Sequence, residues 1–256
     1  MAGIAYFLLP TGPAGVKFLT KRENQILVDR AMKARGEVAN EGKVELVESL
    51  KVLLDYRCWM QACIIFCFNS SFGSLPAFLP TIVQDMGFTS IHAQALSAPP
   101  YLAAYFCCIA LAFISDWLRH RGLLITLFAC IGGTGYLLLR VFERTSVRYG
   151  AIYLITCGVF PSIALTFTLV TDNQLTSSKR GAGLVLFGII GQCGSFLGAH
   201  IFPDEDKPYF KYGMGILTGV VFASGALACI LSCALRWENH RKAGAGKLTA
   251  RTKYVT

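Results

Sequence analysis

The segment Ser115-Asp116-Trp117-Leu118-Arg119-His120-Arg121 sets one carboxylate within five positions of two guanidinium groups, between two long apolar runs. In so short a connection Asp116 can pair with Arg119 or Arg121 across the ends of the two helices it joins. Such a pair can latch one face of a helix bundle when that face is closed. The same residues equally suit an ordinary interfacial charge cluster, because exposed ion pairs often contribute under about 1 kcal/mol. A second set of candidates lies inside the apolar runs. Asn69 and Gln192 carry amides, which are costly to bury and therefore suit a polar cavity wall. Tyr101 and Tyr105 stand one helical turn apart beside Pro99 and Pro100 and can share a face. Ser70, Ser71, Thr166 and Thr168 better suit hydrogen bonds to their own helix or to a neighbouring one. Gly194/Gly198 and Gly215/Gly219 have GxxxG spacing, which favours close helix packing over contact with a solute. This is the chemistry of binding and gating. With no nucleophile–base pair and no metal-ligand cluster at either interface, neither an enzyme nor a cofactor or metal is expected.

The elements that must position these residues follow from composition. Of 256 residues, 54% are apolar and only 15% charged, with mean hydropathy +0.51. That balance excludes a soluble enzyme, a disulfide-stapled module and a disordered regulator. Six runs reach the roughly 20 residues that a membrane-spanning helix needs: 58–83, 93–115, 122–139, 150–171, 181–202 and 213–235. The expected fold is an all-α membrane protein, a six-helix bundle in a lipid bilayer. Pro76, Pro80, Pro99 and Pro100 fall inside runs, where the carbonyls they free must be satisfied by neighbours. Residues 11–57 are too polar to span and read as a cytoplasmic linker with short helices, one begun by the capping-box pair Thr20 and Glu23 and a second amphipathic stretch over 44–54. Met1–Pro10 reads as the end of a longer apolar segment, and 236–256 as a basic tail.

The net charge of +9 would suggest nucleic acid for a soluble protein. Here the basic residues sit between apolar runs, so lipid topology explains them and no nucleic-acid partner is expected. With six spans, nineteen Lys and Arg fall on the side holding both ends and five on the other, which puts both ends in the cytoplasm. Arg140, Arg144 and Arg148 on the opposite side pull the other way. The ten cysteines include no CxxC and mostly lie in apolar runs, where they act as small packing residues. No span carries a Lys, Arg, Asp, Glu or His near its midpoint, although a carrier of anions needs a cation or helix N-termini there.

Several segments, in order, resemble one family. The 115–121 loop resembles the D-R-x-G-R-R signature of the major facilitator superfamily in the copy after the eighth span. Leu9-Pro10-Thr11-Gly12-Pro13 with Phe18-Leu19-Thr20-Lys21-Arg22-Glu23 resembles the L-P-D-x-P … F-L-T-x-E-E of the fungal allantoate permease-like anion:cation symporters. Asp55-Tyr56-Arg57-Cys58-Trp59 resembles their D-x-K-x-W, and Asp172 to Arg180 their N-N-x-x-G-x-T-K-R. Gly191-Gln192-Cys193-Gly194 with Gly198 resembles G-N-x-G-G-x-x-G, and Pro203 to Tyr209 resembles P-x-x-D-x-P-x-Y. Thr11, Thr176 and Gln192 depart from the family's Asp, Gly and Asn.

The resemblance implies the second half of a twelve-span plasma-membrane transporter that works by alternating access. The solute would be a small organic anion, such as a vitamin-like carboxylate or allantoate, moved with protons. Asn69, Tyr101, Tyr105 and Gln192 would bind it, and Asp116, Arg119 and Arg121 would gate the cytoplasmic side. The partner would be the N-terminal six-helix half or a second copy. The rival expectations are a truncated membrane protein that does not transport and a half-transporter active only as a dimer.

Overall fold

A chain in hydrocarbon must satisfy its own backbone, and among the described residues this one does so with helices and no strands. The computed structural model describes residues 20, 22–26, 52–85, 87, 89–118, 120–173, 177–206, 209–244 and 254. Six helices there are long and apolar enough to span a membrane. They are α1 (Tyr56–Asp85), α2 (Ser90–Leu118), α3 (Arg121–Val141), α4 (Thr145–Asn173), α5 (Ser177–His200) and α6 (Lys211–Gly244). The starts of α1, α3 and α5 and the ends of α2, α4 and α6 share one end of the bundle, called here the connector end. The remnant at 1–10, the second amphipathic stretch before Val52, Arg119, and most of the tail lie outside the described residues.

Packing does not follow chain order. The widest interfaces join α1 to α5, α3 to α4 and α3 to α6, while α2 leans chiefly on α4. Helices α2 and α3, with only residues 119 and 120 between them, barely touch. Phe68, Tyr136, Ile152, Ile155, Met214 and Val221 centre the main buried apolar cluster. A smaller one joins Ile65, Val170 and Phe187 of α1, α4 and α5.

Helix ends follow local chemistry. Between α1 and α2, Gly87 takes φ 97°, a left-handed conformation that a side chain would oppose. Helix α5 stops at His200, short of the expected end at 202, because Pro203 disfavours helical backbone just before it. Ile201 and Phe202 are buried beyond the helix. Phe210 holds φ 49°, a conformation costly for a bulky residue, with its ring buried against Phe202 and Phe78 at centroid distances of 5.5 and 6.2 Å. The Asp206 carboxylate then accepts from the Tyr212 amide at 2.7 Å in the first turn of α6. Helix α6 runs past the expected limit at Leu235 to Gly244, with Arg241 and Lys242 in its last turn, where cations suit the helix dipole. At the short helix over residues 22–26, Glu23 accepts from the Thr20 amide at 3.0 Å and from its hydroxyl at 2.6 Å. These bonds hold the Glu23 carboxyl below its ordinary pKa.

Candidate functional site

At the connector end one guanidinium joins three helices. Arg121, the first residue of α3, sets Nη2 3.0 Å from Asp116 Oδ1 near the end of α2. Its Nη1 lies 2.6 Å from Asp172 Oδ2 near the end of α4. The Arg121 side chain is 15% exposed, that of Asp172 35% and that of Asp116 73%, so the Asp172 pair is the better shielded. Inward of this cluster, between α2 and α4, lies a cavity of about 110 Å³ whose lining includes Leu111, Ser115, Pro161 and Thr168. Ser115 is buried there, and its hydroxyl has no hydrogen-bond partner among the described residues. Sequence reasoning named Asp116 and Arg121 for a gate and missed Asp172. That residue was visible in the 172–180 motif, but only the packing of α3 on α4 brings it to Arg121.

The second place is an open flank of the bundle. Only 17% of the most apolar stretch of α2 and 28% of that of α5 is buried, against 44% to 56% for the other four helices. From α2 the Tyr101 ring meets Phe160 of α4 edge-on at 5.6 Å, and Phe160 meets Phe72 of α1 at 5.5 Å. One turn before Phe72, the half-buried Asn69 brings its Nδ2 to within 3.0 Å of where a Cβ on Gly191 of α5 would sit. Gln192, the next residue, is exposed. Asn69 and Gln192 therefore flank one seam, and Tyr101 reaches it through the two phenylalanines. Tyr101 keeps its hydroxyl enclosed and without a partner among the described residues. Tyr105 does not join the row: it is 58% exposed and packs on Phe106 of its own helix. Phe72 and Phe160 were not singled out, because in an apolar run nothing in sequence separates a core phenylalanine from one on an open face.

The glycine pairs divide. A Cβ on Gly194 would lie 2.1 Å from the Phe66 carbonyl oxygen, and one on Gly198 2.0 Å from that of Ser70, so both sit at backbone contact between α5 and α1. Gly215 lies under the Arg140 guanidinium, whose Nη1 is 3.0 Å from its would-be Cβ, and Gly219 meets open space. The hydroxyls mostly serve helix backbone: Ser70 donates to the Phe66 carbonyl, Thr166 to Ser162 and Thr168 to Leu165 at 2.7–2.9 Å. Ser71 instead meets the buried Tyr136 hydroxyl at 2.5 Å, tying α1 to α3.

Two further polar residues are buried that were not candidates for the site. Gln61 on α1 is 1% exposed, and neither amide atom has a hydrogen-bond partner among the described residues. Arg148 is also 1% exposed, with its guanidinium 5.1 Å from the centre of the Tyr209 ring. Arg148, counted as a loop charge opposing the topology, is thus buried in packing, while Arg140 stays exposed beside Gly215. Nearby, Lys211 Nζ pairs with Glu143 at 2.8 Å and holds that carboxyl below its ordinary pKa. Among the described residues, no three His, Cys, Asp or Glu side chains gather as metal ligands, and none of the ten cysteines forms a disulfide there.

Comparison with known proteins agrees with this architecture. The chain is 27% identical to the MFS transporter prlL of a fungal species over 88% of its own length and 46% of that protein's. It is 27% identical to the MFS-type transporter cnsO of Penicillium expansum over all of its length and 52% of the relative's. It is also 24% identical to the high-affinity nicotinic acid transporter of Saccharomyces cerevisiae over 88% of its length and 42% of the relative's. The chain thus spans about half the length of these relatives. The family model of the Major Facilitator Superfamily matches residues 1–199. Six apolar helices in this packing, with that match over most of the sequence, make the chain a member of the Major Facilitator Superfamily, an integral multi-pass membrane protein with the fold of one transporter half.

Proposed function

We propose that the chain is the C-terminal half of a fungal-type secondary transporter for a small organic anion, working by alternating access. The observation that carries this is the uneven burial: α2 and α5 expose the flank on which Tyr101, Asn69 and Gln192 stand, while α1 and α4 are packed behind it. A flank so arranged suits a second six-helix body closing around a path between the two. The resemblance to allantoate permease-like symporters and the nicotinic acid transporter among the relatives support a carboxylate as solute. The described half offers amides and aromatic rings toward that path and no midplane charge. The cation that meets the anion, and the group that carries a proton, then belong to the other half. Arg121 with Asp116 and Asp172 would latch the cytoplasmic side, with both ends of the chain in the cytoplasm of a plasma-membrane protein.

Gln192→Ala in the twelve-span assembly tests the cavity role. The expected result is a changed half-saturation concentration for labelled nicotinate with unchanged amounts of folded protein. Unchanged uptake kinetics would remove Gln192 from the path.

A further inference from the structure

We infer that the connector end of the bundle, where α1 begins and α6 ends, is a docking site for the chain's own C-terminal tail, and that Tyr254 is the residue it reads. Tyr254 is 6% exposed although it lies two positions from the last residue. Two kinds of contact hold it. The Asn239 side chain of α6 pairs with its backbone in both directions: the Tyr254 amide donates to Oδ1 and Nδ2 donates to the Tyr254 carbonyl, each at 2.9 Å. Two cations lie over the ring, with Arg57 Cζ of α1 at 4.2 Å and Lys242 Nζ of α6 at 3.7 Å from its centre.

The chemistry explains why an aromatic residue suits this place. The tail carries Lys247, Arg251 and Lys253 and would be repelled by a basic helix end. A ring face offers negative electrostatic potential without a charge, and two cations can share it. Glu238 takes up part of the positive charge by pairing with Arg57, while the Tyr56 hydroxyl hydrogen-bonds to the same carboxylate. Asn239 reads only backbone, so it requires an amide N–H at position 254 and excludes proline. The two cations then select an aromatic side chain. Docking joins the first helix to the last through a third segment, at the point where the 11–57 region enters α1. None of these contacts involves the flank proposed to face the solute, so the docking stands or falls apart from the transport reading.

Trypsin cleaves after Arg251 and Lys253, and a docked Tyr254 holds that part of the tail away from the protease. The test uses the purified 256-residue chain in detergent, with tail cleavage followed by mass spectrometry. Asn239→Ala leaves the tail sequence intact and is expected to speed cleavage about tenfold or more, since two hydrogen bonds are lost. Tyr254→Ala is expected to do the same, and Tyr254→Phe to keep the wild-type rate because the ring remains. Tyr254 lies beyond every helix, so its variants report even if Asn239→Ala disturbs α6. Wild-type cleavage rates in Tyr254→Ala would overturn the inference. So would protection that appears only in phosphatidylserine vesicles, is absent in phosphatidylcholine and ignores Asn239, because the basic tail would then lie on anionic lipid.

Discussion

The Tyr149 hydroxyl of α4 donates to the Leu96 carbonyl of α2 across 3.0 Å. Pro100 stands four residues after Leu96 and has no N–H to give that carbonyl, so the phenol takes the place of the missing helix bond. A little further along the same pair of helices, Thr156 Oγ1 reaches the Pro100 carbonyl at 3.2 Å. The carbonyl that Pro100 frees is therefore served by the helix on which α2 chiefly leans. Tyr149→Phe is expected to destabilise the bundle by about 0.6–1.7 kcal/mol, the range for hydrogen bonds between membrane helices. The check is the midpoint of denaturation in mixed micelles at unchanged helix content, and an unshifted midpoint would contradict the role.

The two GxxxG pairs should respond in opposite ways. Gly194→Ala puts a methyl group 2.1 Å from a backbone oxygen of α1, which cannot turn aside, so α5 must move away at a cost of about 1–3 kcal/mol. Gly219→Ala meets nothing within 4 Å and should stay within about 0.5 kcal/mol of wild type. Thermal unfolding of the two variants side by side decides this.

The latch should depend more on Asp172 than on Asp116. Breaking the better-shielded Asp172–Arg121 ion pair is expected to cost about 1 kcal/mol, and breaking the more exposed Asp116 pair less than that. In the assembled transporter, Asp172→Asn should lower the maximal uptake rate more than Asp116→Asn does, with half-saturation nearly unchanged in both. Equal rates in both variants and wild type would dismiss the latch.

The Glu143–Lys211 pair gives a pH signature. Lys211 lowers the Glu143 pKa below its ordinary 4.5 in the folded state, so the pair's contribution is present at neutral pH. It is lost as pH falls below about 4.5 through the lowered folded value. Both side chains are more than half exposed, so the effect is small. Lys211→Met should lower the melting temperature slightly at pH 7, and the difference from wild type should vanish in acid. A difference independent of pH would mean that Lys211 acts through packing on Tyr209, whose ring centre lies 5.3 Å from its Nζ.

Much of this molecule was legible before its structure. Apolar runs long enough to span a bilayer dictate helices, because nothing else satisfies backbone groups there, so the fold class followed from hydropathy. Asp116 and Arg121 were legible because their pairing needs only a short loop. Asp172 was not, because its approach to Arg121 depends on α4 packing against α3, a relation between residues 51 positions apart. Tyr101 and Tyr105 looked equivalent by helical spacing, yet the neighbouring Phe160 draws in one and leaves the other exposed. Gly215 and Gly219 likewise share a motif with Gly194 and Gly198 but not its contacts, since spacing fixes which face a glycine occupies and not what lies opposite.

The central claim is that this bundle moves a solute only when a second six-helix body covers the flank of α2 and α5. The direct measurement is uptake of labelled nicotinate into proteoliposomes holding either the 256-residue chain alone or the chain joined to the first six spans of the nicotinic acid transporter it resembles. The account predicts accumulation by the joined protein and none by the chain alone. Accumulation by the chain alone at the rate of the joined protein would contradict it.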